Sequence, residues 1–270
     1  MLGTSGYPPF PIPTLETETS SWIAQVVTNG GSVDRWQSFE VNRLVKGIKD
    51  ASLWSSIDDI WLLAACTSVQ ALTSLKGLRL ATNTGSPTFV AKQGFTYNGT
   101  SGFTNTGFNP STMASAFTAT SGAIGVYELT NVNSSGRSAG VRGTSSVIEI
   151  SMINRTSSNA AGQVLNSAVT NTVAISPVTS VGYTVAARTA GPVFTIYKNG
   201  VSLGTYSPGS TSTTIPNATL YIGALNNNGT AANFRASTPA LVDIRAALSA
   251  ANEAVIQGLY LKYLKAMGCA

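Results

Sequence analysis

A carboxylate on a strand face is the first group in this chain that chemistry could use. The run Glu149-Ile150-Ser151-Met152-Ile153 has strand character, and side chains two apart on a strand share a face. A retaining glycosidase needs two carboxylates about 5–5.5 Å apart. Here Ser151 and Ile153 stand where a second acid would have to be. One carboxylate cannot be both acid and nucleophile, so glycoside cleavage is not expected. Asp58 and Asp59 are adjacent and point to opposite sides of a strand. They read as capping groups at a helix-to-strand junction.

Other catalytic and metal-binding arrangements are missing at the level of residue type. Histidine is absent, which removes the usual base of a serine or cysteine nucleophile, and no Gly-x-Ser-x-Gly elbow occurs. The stretch "GVRGTSS" lacks the lysine and the strand-loop-helix setting of a phosphate loop. Calcium prefers six to eight oxygens with carboxylates prominent. Asp243 has no second acid near it in sequence, and Asn226, Asn227 and Asn228 would make only a neutral site. No cofactor or metal is expected. Cys66 follows the apolar "IWLLAA" and reads as a buried thiol, whereas Cys269 reads as exposed near the C-terminus. Two cysteines make no disulfide framework.

Binding is the remaining chemistry. Sugar sites combine aromatic rings with amide hydrogen-bonding groups. Tyr183, Tyr197, Tyr206 and Tyr221 supply rings, and Asn199, Asn226, Asn227 and Asn228 supply amides. Tyr197, Asn199, Asn226 and Asn227 are the candidate glycan contacts, although ordinary turn chemistry accounts for the same asparagines. At the N-terminus Pro8, Pro9, Pro11 and Pro13 impose an extended path. Tyr7, Phe10 and Ile12 lie between them, as the anchors of an arm that docks on a partner.

The elements that must position these groups are largely β. Only 10% of the 270 residues are charged against 43% hydrophobic, where a quarter charged is usual. Short apolar runs alternate with Gly, Asn, Ser and Pro turns from Ile60 onward, which argues for a sandwich of two sheets of about six strands. In "FTIYKNGVSLGT", Asn199-Gly200 between alternating runs predicts a type I′ hairpin. A helical hairpin precedes the strands: Ser20 to Thr28, then a longer helix capped by Ser32 with Val33, Trp36, Val41, Leu44, Val45 and Ile48 on its apolar face. Ser249 caps a closing helix that Gly268 stops. The boundaries follow: an arm over 1–19, helices over 20–57 and a sandwich over 58–270 closed by the helix.

Net charge is +5, and residues 77–247 carry nine basic residues against Glu128, Glu149 and Asp243. The basic residues are scattered singly, without the clustering of a nucleic-acid surface. They read as isolated, solvated charges. The opening residues lack the basic and apolar regions of a cleaved leader, and no apolar run is long enough for a membrane span. Neither nucleic acid nor membrane insertion is expected.

The order of the last third is familiar. "FTIYKNGVSLGT", then "ATLYIGALNNNGTAANF", then "ALVDIRAALSAANEAVIQGLY" resembles the laminin-G/concanavalin A-like jelly roll. "GFTYNGTSGFTNTGFNPST" is similar to early strands of that fold in phage-encoded proteins. The segment "SSWIAQVVTNGGSVDRWQSFEVNRLVKGIKDASLWSSIDDIWLLAAC" resembles a helical lead-in found before this jelly roll in bacteriophage and prophage structural proteins. The resemblance implies a mainly β concanavalin A-like sandwich in which the Ile-Gly and Asp-x-Arg strands are neighbours. It also implies a virion structural protein, as a tail, fibre or capsid-decoration component made in the bacterial cytoplasm. Its partners would be other virion proteins and further copies of itself; the alternative, read from the rings and amides above, is a lectin-like module that adsorbs to a host-surface glycan. Glycosidases of this fold carry Glu-x-Asp-x-Glu on one strand, a pattern that Glu149, Ser151 and Ile153 do not complete.

Overall fold

The computed structural model describes residues 14–146, 148–166, 171–190, 193–207 and 212–270. The anchors Tyr7, Phe10 and Ile12 lie outside the described residues. Two helices come first, α1 (Thr17–Thr28) and α2 (Arg35–Asp50). The first begins inside the expected arm, three residues before Ser20. Lys49 draws it against α2 by meeting Glu16 at 2.7 Å and Glu18 at 2.8 Å. Asp34, not Ser32, caps α2, because its Oδ1 accepts the Gln37 amide at 2.6 Å. The carbonyl of Ser32 instead accepts from Gln70 Nε2.

The strands follow in a long series. The chain continues through β1 (Ile57–Trp61), α3 (Ser68–Leu72), β2 (Thr82–Thr84), β3 (Thr88–Val90), β4 (Gly94–Thr96), β5 (Phe103–Asn105), α4 (Pro110–Met113), β6 (Gly122–Glu128) and β7 (Ala139–Arg142). Next come β8 (Glu149–Ile153), β9 (Ala160–Leu165), β10 (Asn171–Ala174), β11 (Gly182–Ala190), β12 (Val193–Lys198) and β13 (Val201–Tyr206). The last elements are β14 (Tyr221–Ile222), β15 (Leu225–Asn227), β16 (Thr230–Ala232), β17 (Pro239–Arg245) and α5 (Ala250–Met267).

These strands form a mainly β, jelly-roll type sandwich. One sheet has six strands in the order β1-β17-β6-β11-β12-β13. The other has nine, with β10-β9-β8-β7-β14-β5-β2 as its path, β15 beside β7 and β16 beside β15. The second sheet is larger than the sequence suggests, in part because "ATLYIGALN" breaks into β14 and β15 and the turn after it adds β16. The Ile-Gly strand β14 and the Asp-x-Arg strand β17 therefore lie in different sheets, not side by side.

Two hydrophobic cores result. Val126, Ile124, Val242, Ile244, Phe194 and Ile196 meet Ile150, Met152, Val141 and Ile222 between the sheets. On the other face of the six-stranded sheet, Tyr183, Val185, Tyr197 and Leu241 pack with Trp22, Val45, Ile48, Ile256, Tyr260 and Tyr263 from the helices. Strands covered on both faces lose the polar alternation of a half-exposed sheet, and β6 and β17 are buried throughout. At Gly47 of α2 an added Cβ would stand 2.6 Å from Leu259 of α5, so the glycine lets the two helices approach. Trp36, expected on the buried face, is exposed with Lys92 Nζ 4.5 Å from its ring.

The hairpin forms as its sequence predicts. Asn199 and Gly200 take φ of 48° and 79°, and Lys198 pairs with Val201. Ser249 accepts the Asn252 amide, and Gly268 ends α5 with φ 79°.

Candidate functional site

All eleven carboxylates have an ionic or hydrogen-bonding partner. In the sandwich, Glu128 is buried against Arg235, Nε to Oε1 at 2.8 Å. Glu149 takes Arg137 at 3.1 Å, Arg142, and the Ser151 hydroxyl at 2.6 Å. Asp243 and Glu253 share Arg245 at 2.8 and 2.6 Å. Asp59 meets Arg79 at 2.5 Å and the Gly77 amide at 2.9 Å. Asp58 accepts the amides of Ser115, Ala116 and Phe117. This pair therefore holds loops and does not cap a helix. The helical carboxylates are occupied as well: Glu16 and Glu18 by Lys49, Asp34 by a cap, Glu40 by Arg43 and Asp50 by Lys46.

Burial corrects the reading of several basic residues, and ion pairs hold Arg137, Arg235 and Arg245 among them. Arg137, Arg188, Lys198, Arg235 and Arg245 are buried, not solvated. A fold with few charges has placed several of them where each needs a partner, because an unpaired buried charge is prohibitive. Among the described residues no three acidic or cysteine side chains converge as metal ligands would. Cys66 and Cys269 are free and half-buried. The Cys66 thiol donates to Gln37 Oε1, and burial pushes the Cys269 thiol up to about 11.

The four candidate glycan contacts do not come together. Tyr197 is only 6% exposed, in the core beneath the helices. Its neighbours Phe194 and Ile196 point into the sandwich, so the alternate position faces the helical layer and burial raises its phenol pKa. Asn199 is exposed, but its Oδ1 accepts the Tyr183 amide at 2.9 Å. Asn226 is buried, donating to the Thr219 carbonyl at 2.7 Å and accepting from the Gly229 amide at 2.7 Å. Asn227 is exposed on β15, opposite Arg142.

The outer face of the nine-stranded sheet does bring rings and amides together. Ile222 and Thr104 face the core, so their neighbours Tyr221, Phe103 and Asn105 face outward. Phe103 stacks on Tyr221 with centroids 4.4 Å apart, and Phe234 leans on Phe103 at 6.3 Å. Tyr221 is only 8% exposed beneath Phe103, Phe103 and Phe234 are half-buried, and Thr82, Thr84 and Asn233 around them are exposed. Asn105 Oδ1 accepts the Gly107 amide. Arg142 and Asn227 lie further along the same face, and a cleft of about 230 Å³ opens at its end between Thr144, Thr214, Asn217 and Asn228. Of this cluster the sequence singles out only Tyr221, Asn227 and Asn228 as candidates. The signal for Phe103 and Asn105 was the alternation in "GFTNTGF", with Thr104 and Thr106 between them.

No family model matches the chain, and no curated protein sequence does. Solved structures align with parts of the chain. A mutant of Trypanosoma rangeli sialidase displaying trans-sialidase activity aligns at 15% identity and a TM-score of 0.54, over 85% of this chain and 38% of that one. Domain 4 of AbnA, a GH43 extracellular arabinanase from Geobacillus stearothermophilus, in complex with arabinotriose, aligns at 13% and 0.48 over 74% and 98%. The K499G mutant of NanB sialidase from Streptococcus pneumoniae aligns at 11% and 0.43, over 64% of this chain; the chain spans 27% of that sialidase. At 15% identity the likeness to the Trypanosoma rangeli protein is one of fold alone. No helix among the described residues is long and apolar enough to cross a membrane.

Proposed function

We propose that this chain is a non-catalytic carbohydrate-binding sandwich of a bacteriophage or prophage virion, presenting the outer face of its nine-stranded sheet to a neutral host-surface glycan. The Phe103–Tyr221 stack beside Asn105 carries the reading. Ring faces and amide groups on a rigid sheet suit the apolar faces and hydroxyl edges of a sugar. Arg137 and Arg142 on this face are engaged by Glu149, which favours a neutral sugar over an acidic one. The commitment of every carboxylate supports a binding role over a hydrolytic one. A glycan array probed with the full chain tests the proposal: neutral glycans are retained, and Phe103→Ala abolishes retention with the fold intact. Retention unchanged in that variant would sink this site.

A second reading is a purely structural virion component, favoured by Trp36 and Phe39 standing exposed on α2 and by the resemblance of the helical lead-in. Here the arm with Tyr7, Phe10 and Ile12 would anchor the chain to other virion proteins or to further copies of itself. Deleting residues 1–13, which leaves α1 whole, should then prevent incorporation into particles.

A further inference from the structure

Lys198 is out of place. It ends β12 with its side chain 5% exposed, and no carboxylate meets its Nζ. Its two acceptors are neutral, the Ser180 carbonyl and the Thr184 hydroxyl, each at 3.0 Å. Burial brings its pKa down to about 8, so about a tenth of the side chain is an uncharged, nucleophilic amine at pH 7 and most of it is at pH 9.

The same Thr184 hydroxyl touches a second buried group. Asn154, just past the end of β8 and fully buried, donates its Nδ2 to Thr184 Oγ1 at 3.2 Å and to the Val126 carbonyl at 2.9 Å. Its Oδ1 is buried and has no hydrogen-bond partner. A carboxamide so held is costly unless something else uses the site. Lys198 belongs to the six-stranded sheet and Asn154 follows a strand of the other, so a bond between them would span the sandwich core.

We propose that Lys198 and Asn154 join in an intramolecular isopeptide bond between Nζ and Cγ, with Thr184 as the proton relay between the two nitrogens. The neutral amine attacks Cγ of Asn154, forming the new C–N bond and placing negative charge on Oδ1. Nζ gives one proton to Thr184 Oγ1, whose own proton passes to Nδ2. The C–Nδ2 bond then breaks, the carbonyl re-forms and ammonia leaves. One primary amine and one primary amide become one secondary amide and ammonia, with no oxidant, reductant or co-reactant. Glu128 lies beside the site but is held by Arg235 and by Ser138, whose hydroxyl also accepts the Asn154 amide. At Lys198 the attraction of Glu128 is opposed by Arg235 and outweighed by burial.

The experiment is intact-mass spectrometry and tryptic mapping of the full chain after incubation at pH 9. The chain should be lighter than its sequence by one ammonia. Trypsin should fail to cut after Lys198, and one branched peptide should contain both Lys198 and Asn154. Thr184→Val should slow the mass loss by about 100-fold or more, as expected when a positioned proton relay is removed, and Lys198→Arg should abolish it. Full sequence mass with linear peptides and cleavage after Lys198 would overturn the proposal. So would loss of ammonia confined to the Asn199-Gly200 peptide, which marks succinimide formation in the turn. Because the wild-type chain supplies the decisive reading, a variant that fails to fold does not blunt the test.

Discussion

Arg245 on β17 and Glu253 in the first turn of α5 face each other through two buried hydrogen bonds, Nη1 to Oε1 at 2.8 Å and Nη2 to Oε2 at 2.6 Å. Asp243 takes the remaining Nε at 2.8 Å, and the hydroxyls of Tyr183 and Tyr260 donate to Asp243 at 2.5 and 3.3 Å. Gly125 makes the room: an added Cβ would stand 2.2 Å from both Asp243 Oδ1 and Tyr183 Oη. Breaking a buried pair leaves an uncompensated charge. Glu253→Ala should therefore destabilise the protein by about 3–5 kcal/mol in urea denaturation. Replacing Asp243, Arg245 and Glu253 together by apolar residues of similar volume should recover most of that loss.

Tyr197→Ala should behave as a core deletion. Removing a large buried ring costs about 3–5 kcal/mol, read as a lower midpoint in thermal unfolding. Glycan retention by the molecules that remain folded should be unchanged, since the ring sits under the helices on the opposite sheet from Phe103.

Tyr197 also shows where the sequence stops being informative. Its strand, the turn after it, the closing helix with both caps and the sandwich class were all legible, because each depends on local periodicity or on a backbone conformation few residues adopt. Which face of β12 meets solvent was not. That depends on α1, α2 and α5 covering the six-stranded sheet, a long-range fact that no alternation within β12 encodes. The burial of Arg235 and Arg245 was hidden for the same reason, as Arg235 and Glu128 are 107 residues apart in the chain.

At the hairpin, Asn199 serves the backbone twice, by accepting the Tyr183 amide and by taking a positive φ. Asn199→Ala should cost about 1–2 kcal/mol, the loss of one partnered amide together with strain in the left-handed region. Asn199→Asp, which keeps the acceptor and tolerates that region, should cost less. Equal losses in chemical denaturation would show that the hydrogen bond contributes nothing.

Lys198 makes stability depend on alkaline pH whenever its amine is free, as in Asn154→Ala. The folded pKa is about 8 and the unfolded one about 10.4, so between these values the unfolded chain binds more protons. Stability should therefore rise with pH across that window, by about 3 kcal/mol at about 1.4 kcal/mol per pK unit, and this group should add no slope below it. Lys198→Met in the same background should flatten the rise. A fall in stability over that window, traced to Lys198, would mean that its ammonium is favoured by the fold.

Phe103→Ala separates binding from folding. The ring is half-buried on the outer face of the nine-stranded sheet and takes no part in either hydrophobic core. Its loss should cost stability less than Tyr197→Ala, with the Phe103–Tyr221 contact worth about 0.5–1.5 kcal/mol. A glycan lying across the stack would lose its flat apolar surface, so titration calorimetry with a retained glycan should show affinity falling at least tenfold. Phe103→Tyr keeps the ring face and should keep the affinity. If both variants bind like the parent, the sugar does not lie on this stack; if both fail equally, the face recognises the packing of Phe103 against Tyr221 and Phe234 more than the ring itself.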